Sequence, residues 1–139
     1  MIFFENEFAQ INYLEDAKTV EMVWKQTTSS QMYRDLFAKG VEALEHFQVA
    51  NWLSNTTDQG LVAPEDRKWL ETQMIPTAIR SGLRNIAVVV SKDIFKRYYV
   101  DNVRKYVEKS HLSMQYFDDT KEAVQWLSSV DSSGLARPA

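Results

Sequence analysis

One segment of this chain, residues 49–90, constrains the possible fold more than any other. It contains an apolar strand pattern (VANWLSN), a polar turn (NTTDQG), a helix pattern that begins at Pro64 and ends near Gly82, and a second apolar run (NIAVVV). A strand, a helix and a second strand in this order predict a parallel α/β sheet. Pro76 lies inside the helix pattern and predicts a kink or an interruption. The turn after the first strand carries no nucleophile, metal-ligand set or glycine-rich phosphate loop. The segment therefore predicts the fold of the chain but does not indicate a specific reaction.

The composition is typical of one globular domain. The 139 residues are 45% hydrophobic and 25% charged, which suffices for a core that folds unaided. Cysteine is absent, which excludes disulfides, thiolate catalysis and cysteine-bound metal clusters and makes a reducing cytoplasm the expected location. No apolar run approaches the roughly 20 residues that cross a bilayer. We therefore expect no transmembrane segment. The net charge of -3 creates no overall positive field that would attract phosphate backbones, so we expect no nucleic-acid partner.

The region before the central segment predicts a hairpin followed by a helix. Residues 8–14 and 19–25 alternate apolar with polar side chains around a short polar connection, which indicates two antiparallel strands. Thr28 and Gln31 have the spacing of a capping box, and apolar residues then recur at the helical period over residues 29–47. We therefore expect a first strand that is antiparallel and lies at the edge of the sheet.

The region after the central segment predicts a helix, a strand over residues 112–117 and a last helix from Thr120. The full order is β-β-α-β-α-β-α-β-α, a five-stranded mixed sheet that is mostly parallel because the crossovers are right-handed. Since the outer strands alternate apolar with polar residues, we expect the helices mainly on one face. Residues 1–130 are predicted to form a single domain and residues 131–139 a flexible tail.

The order of elements, together with a set of residues within it, resembles a known family. The residues that carry the likeness are Trp52, Leu53, Pro64, Glu65, Asp66, Trp69, Pro76, Ala78, Ile79, Gly82, the strand 86–90, Asp93, Phe95, Phe117, Glu122, Ala123, Trp126 and Leu127. This pattern resembles the STAS/SEC14-like proteins with the SpoIIAA-like fold of anti-sigma-factor antagonists, and in particular small bacterial members without an assigned activity. The resemblance implies a non-enzymatic protein-interaction module. In the antagonists a serine or threonine is phosphorylated where a central strand enters a helix, and distant relatives carry apolar ligands.

By position, the regulatory motif of that family falls on the loop after the first central strand. The predicted interaction or phospho-acceptor residues are Asn55, Thr56, Thr57, Asp58, Glu65 and Asp66. A phosphate on Thr56 or Thr57 would lie near a helix N-terminus, although the neighbouring acids oppose it. Plain turn chemistry is the simpler interpretation. The string DSSG at residues 131–134 matches the family motif better in its letters, but no helix follows it.

Three of the four tryptophans suggest a ligand site. Trp24, Trp52 and Trp69 fall on strand or helix positions that face the core, where packing is the favoured interpretation and an apolar cleft between sheet and helices is the sharper one. Two functions therefore remain. The first is an interaction module that presents the loop 55–64 to an unidentified protein partner, as a homodimer. The second is a carrier of a small apolar ligand.

Other titratable residues have structural explanations. His46 and His111 lie at predicted helix C-termini, where a cation meets the last carbonyls. Asp58, Glu65, Asp66 and Glu71 gather near a helix start, where acids are favoured without any catalysis. The predicted third long helix is the most basic part of the chain and carries Lys92, Lys96, Arg97, Arg104, Lys105 and Lys109. Its charged side chains are expected to form a solvated, salt-bridged face, or alternatively a surface for a membrane or an acidic partner. We expect no cofactor and no metal, and an enzyme is the least favoured class.

Overall fold

A computed structural model describes residues 1–91 and 112–130. The strands and helices in chain order are β1 (Ile2–Glu5), β2 (Ala9–Leu14), β3 (Thr19–Trp24), α1 (Ser30–Phe47), β4 (Asn51–Asn55), α2 (Pro64–Trp69), a π-helical turn (Leu70–Met74), α3 (Ile75–Arg80), β5 (Asn85–Val89), β6 (Ser113–Phe117) and α4 (Thr120–Ser129). Among these residues no helix combines the length and the apolar character that a bilayer span requires.

The strands form one six-stranded sheet whose spatial order follows the chain, β1-β2-β3-β4-β5-β6. The first three strands are antiparallel, and β3 to β6 are parallel. The prediction of five strands, with the hairpin strand at the edge, is wrong because β1 occupies that edge. This strand is short and does not alternate, so it has no pattern of its own. It is held by pairing with β2 and by the Asn6 side chain, whose Oδ1 accepts from the backbone N–H groups of Phe8 and Ala9.

Helix α1 begins one residue later than the capping-box spacing predicts. The N-cap is Ser29, whose hydroxyl accepts from the backbone N–H of Met32, and Thr28 lies outside the helix. The helix ends at Gln48, which adopts the left-handed conformation and donates its backbone N–H to the carbonyl of Leu44. A difference of one residue in the N-cap does not alter which face of α1 is buried, because that face is set by the apolar period.

The interruption predicted at Pro76 is present. The helix from α2 to α3 passes through the π-helical turn immediately before this proline, where the backbone N–H of Ile75 donates to the carbonyl of Leu70, five residues earlier. A proline ring presses on the carbonyl four residues before it and supplies no N–H group. A wider turn at this point removes part of that conflict.

The two faces of the sheet bury different sets of residues. One face packs against α1 and the α2–α3 segment and forms the larger core, whose strand residues include Val20, Met22, Trp52 and Val88. The opposite face packs against α4 through Leu53, Ala87, Val89, Ala123 and Leu127. Of the described helices, then, only α4 lies on the second face. The expectation that helices crowd one face holds for α1 and the α2–α3 segment.

Candidate functional site

A small cavity lies between the sheet and the helices of the larger core. Its volume is about 80 Å³. The described residues that line it are Trp24, Tyr33, Phe37, Trp52, Ser54, Thr56, Gln59, Leu70, Met74, Ile75, Ala78, Leu83, Ile86, Val88 and Met114. Most are aromatic or aliphatic and buried, which is the environment of a site for an apolar group. We call this space the apolar cavity.

The aromatic wall of the apolar cavity is built by α1 against β3 and β4. Trp24 stacks on Tyr33 with ring centroids 5.5 Å apart, and Phe37 stacks on Trp52 at 6.0 Å. Tyr33 and Phe37 are one helical turn apart, so both rings face the sheet. Gly40 lies one turn further along, and a Cβ atom there would collide with the Trp52 ring. The glycine therefore lets Trp52 lie directly under the helix backbone.

The π-helical turn forms the opposite wall. Leu70 and Met74 within it are buried and contact the cavity, as do Ile75 and Ala78 of α3. An extra residue in the turn changes the angular spacing of the side chains, so two long apolar chains of one turn share this wall. π-type turns inside α-helices are frequent at functional sites.

Three polar side chains contact the apolar cavity from the carboxyl end of β4 and the loop beyond it. Ser54 Oγ accepts from Trp24 Nε1 at 3.3 Å, and Thr56 Oγ1 donates to the Val89 carbonyl at 2.9 Å. Gln59 is only 8% exposed, and its side chain makes no hydrogen bond with any of the described residues. Of these three side chains, Ser54 and Thr56 are already hydrogen-bonded, and the Gln59 amide is open to a ligand.

A polar pocket of about 260 Å³ lies beside the apolar cavity, at the start of α1. Tyr33 and Gln59 line both spaces, so these two side chains form the partition between them. The other described residues that line the polar pocket are Thr27, Thr28, Ser29, Ser30, Gly60, Leu61, Val62, Ala63 and Asp66. Gly60 packs so closely on Thr27 that a Cβ atom would collide with the threonine hydroxyl.

Asp66 is the charged group of the polar pocket. It is 4% exposed, and its Oδ2 accepts from the Ser30 hydroxyl at 2.8 Å. Its Oδ1 lies 3.5 Å from Arg34 Nε, in a geometry that leaves both atoms without a hydrogen bond. The guanidinium of Arg34 also lies over the Trp69 ring, 5.3 Å from its centroid. Asp66 therefore joins α2 to the beginning of α1.

The three tryptophans predicted to form a cleft separate in the structure. Trp24 and Trp52 line the apolar cavity, whereas Trp69 does not. Trp69 packs behind it, with its ring centroid 6.2 Å from Tyr33 and 6.1 Å from Phe37. Core packing and cavity lining, which the sequence left as alternatives, thus both apply to Trp24 and Trp52.

The predicted phospho-acceptor loop places its threonines differently from each other. Thr56 is 5% exposed and its hydroxyl is bonded to Val89, whereas Thr57 is exposed. The backbone N–H of Thr57 donates to Asn55 Oδ1, a local turn contact. Helix α2 begins only at Pro64, so neither threonine lies at its first turn. Of the two threonines, only Thr57 offers a hydroxyl near the surface.

The neighbouring acids do not form a metal site in the described part of the chain. Asp58 and Glu65 are exposed and Asp66 is buried. No group of three or more histidine, aspartate or glutamate side chains that could hold a metal occurs within residues 1–91 and 112–130. His46 lies in the last turn of α1, with its ring centroid 4.7 Å from that of Phe47. This contact agrees with a packing role at the helix end.

Two lining residues that the sequence analysis did not single out are central to the site. Tyr33 could have been identified from the sequence, because it and Phe37 form an aromatic pair one turn apart on the buried face of α1. Gln59 could not, since a glutamine in a polar turn is expected to be solvated. Three predictions lie outside the described residues, namely the basic helix between residues 92 and 109, His111 and the tail 131–139.

Comparisons with known proteins find similarity at the level of structure. No protein-family model matches the chain, and no curated protein matches it. A similar solved structure is the crystal structure, at 2.25 Å resolution, of an uncharacterised DUF3478-family protein with a SpoIIAA-like fold from Shewanella loihica PV-4. The alignment has a TM-score of 0.59 and covers 86% of this chain and 91% of that chain, with 13% identical residues.

Proposed function

Because the chain has a SpoIIAA-like fold and encloses an apolar cavity beneath an interrupted helix, we propose that it is a binding module for a small apolar ligand. The observation that carries the proposal is the described lining of the apolar cavity, which is mostly aromatic and aliphatic and includes the amide of Gln59. Sites of this composition are typical of small-molecule binding.

The size of the cavity limits what it holds. An engineered apolar cavity of about 150 Å³ in another protein binds benzene or xenon, so a space of about 80 Å³ suits a xenon atom or a short hydrocarbon chain. A larger ligand requires its wall to move. The π-helical turn is the part of the wall whose hydrogen bonding is already irregular, and it is the natural place for such a change.

The side chains around the cavity favour binding over catalysis. The hydroxyls of Ser54, Thr56 and Tyr33 are the nucleophile types present among the described lining residues. Ser54 and Thr56 are held in hydrogen bonds to Trp24 and Val89, and no described histidine or carboxylate lines the cavity to act as a base for any of the three. A nucleophile without a base within reach is poorly suited to covalent chemistry.

Xenon pressure with NMR detection tests the proposal, because the four tryptophan indole N–H groups report on different places. We expect xenon to shift the signals of Trp24 and Trp52, which line the cavity, and to leave that of Trp126 unchanged, since Trp126 is part of α4 and packs on Phe117 away from the cavity. Ala78→Leu fills the cavity and should abolish the response. The matched control is Ala38→Leu on the exposed face of α1. Equal shifts at all three tryptophans, or a response that survives Ala78→Leu, would contradict the proposal.

A protein-interaction function is the second candidate, and the loop between β4 and α2 favours it. Leu61 in this loop is 73% exposed and is flanked by the exposed Thr57, Asp58 and Glu65. An exposed leucine beside acids suits a partner with an apolar and basic surface. We expect Asp58→Lys and Glu65→Lys to weaken partner capture, whereas Asp35→Lys on α1 does not. Native mass spectrometry of protein from its own host would show phosphate, which we place on Thr57, and would test the proposed homodimer.

A further inference from the structure

The partition between the apolar cavity and the polar pocket carries an unused hydrogen-bonding group. Gln59 lines both spaces and is 8% exposed, and no described residue bonds to its side-chain amide. An amide that is largely buried in the wall of a pocket and has no protein partner is ordinarily paired with water or with a ligand. The amide thus lies where the apolar part and the polar part of one ligand would meet.

The chemistry of the amide defines its complement. A glutamine side chain offers both a donor N–H₂ and an acceptor oxygen. A hydroxyl or a carboxamide matches both at once, whereas a carboxylate only accepts and an ammonium only donates. Asp66 in the polar pocket forms an ion pair with Arg34, with 3.5 Å between Oδ1 and Nε, so the two charges largely cancel for a ligand of either sign. A neutral polar end is therefore favoured over an ionic one, which would lose its hydration without gaining an unpaired counter-charge.

Resting on the proposed function, we propose that the ligand is a short neutral amphiphile. Its apolar part occupies the apolar cavity, and its hydroxyl or carboxamide bonds to Gln59 at the boundary with the polar pocket. The volume of about 80 Å³ is roughly half that of the benzene-binding cavity cited above, which corresponds to a chain of about four carbons. Tyr33 forms the other half of the partition and positions the polar end beside Gln59.

A series of four-carbon compounds with different polar ends tests the proposal. We expect butan-1-ol and butanamide to shift the indole signals of Trp24 and Trp52 in NMR titrations, and butyrate and butylammonium to bind at least about fivefold more weakly. Gln59→Leu should weaken butan-1-ol binding about five- to tenfold while the response to xenon persists. Asp58→Asn, in the same loop and exposed, is the matched control and should change neither.

The outcomes separate this inference from the proposed function. If xenon shifts the cavity tryptophans but Gln59→Leu binds butan-1-ol as well as the unmodified protein, the apolar site stands and the role of Gln59 is overturned. Butyrate binding as tightly as butan-1-ol overturns it as well. If neither xenon nor any of the four compounds binds, both proposals fail. Gln59→Glu is a second variant of nearly equal size, and it should reverse the preference from butan-1-ol to butylammonium.

Discussion

The two faces of the sheet each pack against helices, but they bury side chains of different size. Under α4, small and medium side chains such as Ala87 and Ala123 are fully buried, and the helix lies close to the strands. On the other face, large aromatic rings meet an interrupted helix and leave the apolar cavity. Bulky rigid rings fill space less evenly than small residues, because they have few allowed orientations. The α4 face is therefore filled by its described residues, whereas the opposite face, which forms the larger core, leaves a cavity.

The largest effect is expected on the α4 face. Leu127→Ala removes a fully buried side chain from a closely packed cluster and should lower the free energy of unfolding by about 3 kcal/mol. Chemical denaturation measures the change. Xenon binding by the folded fraction should persist, since Leu127 does not contact the cavity. A loss of xenon binding in this variant would show that the two faces are coupled.

The second-largest loss of stability is expected when the polar contact between the sheet and α4 is removed. Asn51 Nδ2 donates to the carbonyls of Ala17 and Leu127, and its Oδ1 accepts from Asn85 Nδ2 at 2.8 Å. Asn51→Ala leaves these buried groups without that partner and should cost about 2 kcal/mol. Gln31→Ala, an exposed position on α1 whose amide bonds only to the exposed Asp35 among the described residues, is a control for which thermal unfolding should change far less.

On the cavity face, Gly40→Ala should have an intermediate effect on stability and a large one on binding. The new methyl group would collide with the Trp52 ring, and overpacking costs about 1–3 kcal/mol. The helix preference for alanine offsets about 1 kcal/mol of this. We expect the displaced ring to reduce the apolar cavity and weaken xenon binding. Unchanged Trp52 signals in the variant would mean that α1 moves instead of the ring.

The smallest change in stability is expected for Pro76→Ala. The π-helical turn already relieves part of the conflict between the proline ring and the preceding carbonyl, so the free energy of unfolding should shift by less than about 1 kcal/mol. Without the proline ring, a regular α-helix is no longer disfavoured at the π-helical turn. A regular helix would change the angular spacing of Leu70 and Met74 and so turn their side chains away from their present positions in the cavity wall. Ligand binding should therefore fall more than stability. Retained binding would show that packing, and not Pro76, maintains the turn.

Sequence reasoning predicted the local features of the fold well and the distant contacts poorly. The SpoIIAA-like fold, the parallel strands around residues 49–90 and the interruption at Pro76 are present. β1 was missed because its pairing with β2 lies outside its own four residues. For Trp24, Trp52 and Trp69 the sequence favoured core packing over an apolar cleft; Trp24 and Trp52 line the cavity, and Trp69 lies behind its wall. The sequence treated Thr56 and Thr57 alike as candidate phospho-acceptors, whereas in the structure Thr56 is buried and Thr57 is exposed.

By itself, the sequence determined the order of the elements from β2 to β5, the buried face of α1 and the position of the helix break. Each of these follows from periodicity or from the covalent geometry of a single residue such as Pro76. Only the tertiary structure decided that a cavity exists and that Gln59 forms the partition between two spaces. A cavity is the volume that remains when side chains far apart in the chain pack together. No local pattern encodes that remainder, because it depends on the shapes of all its walls at once.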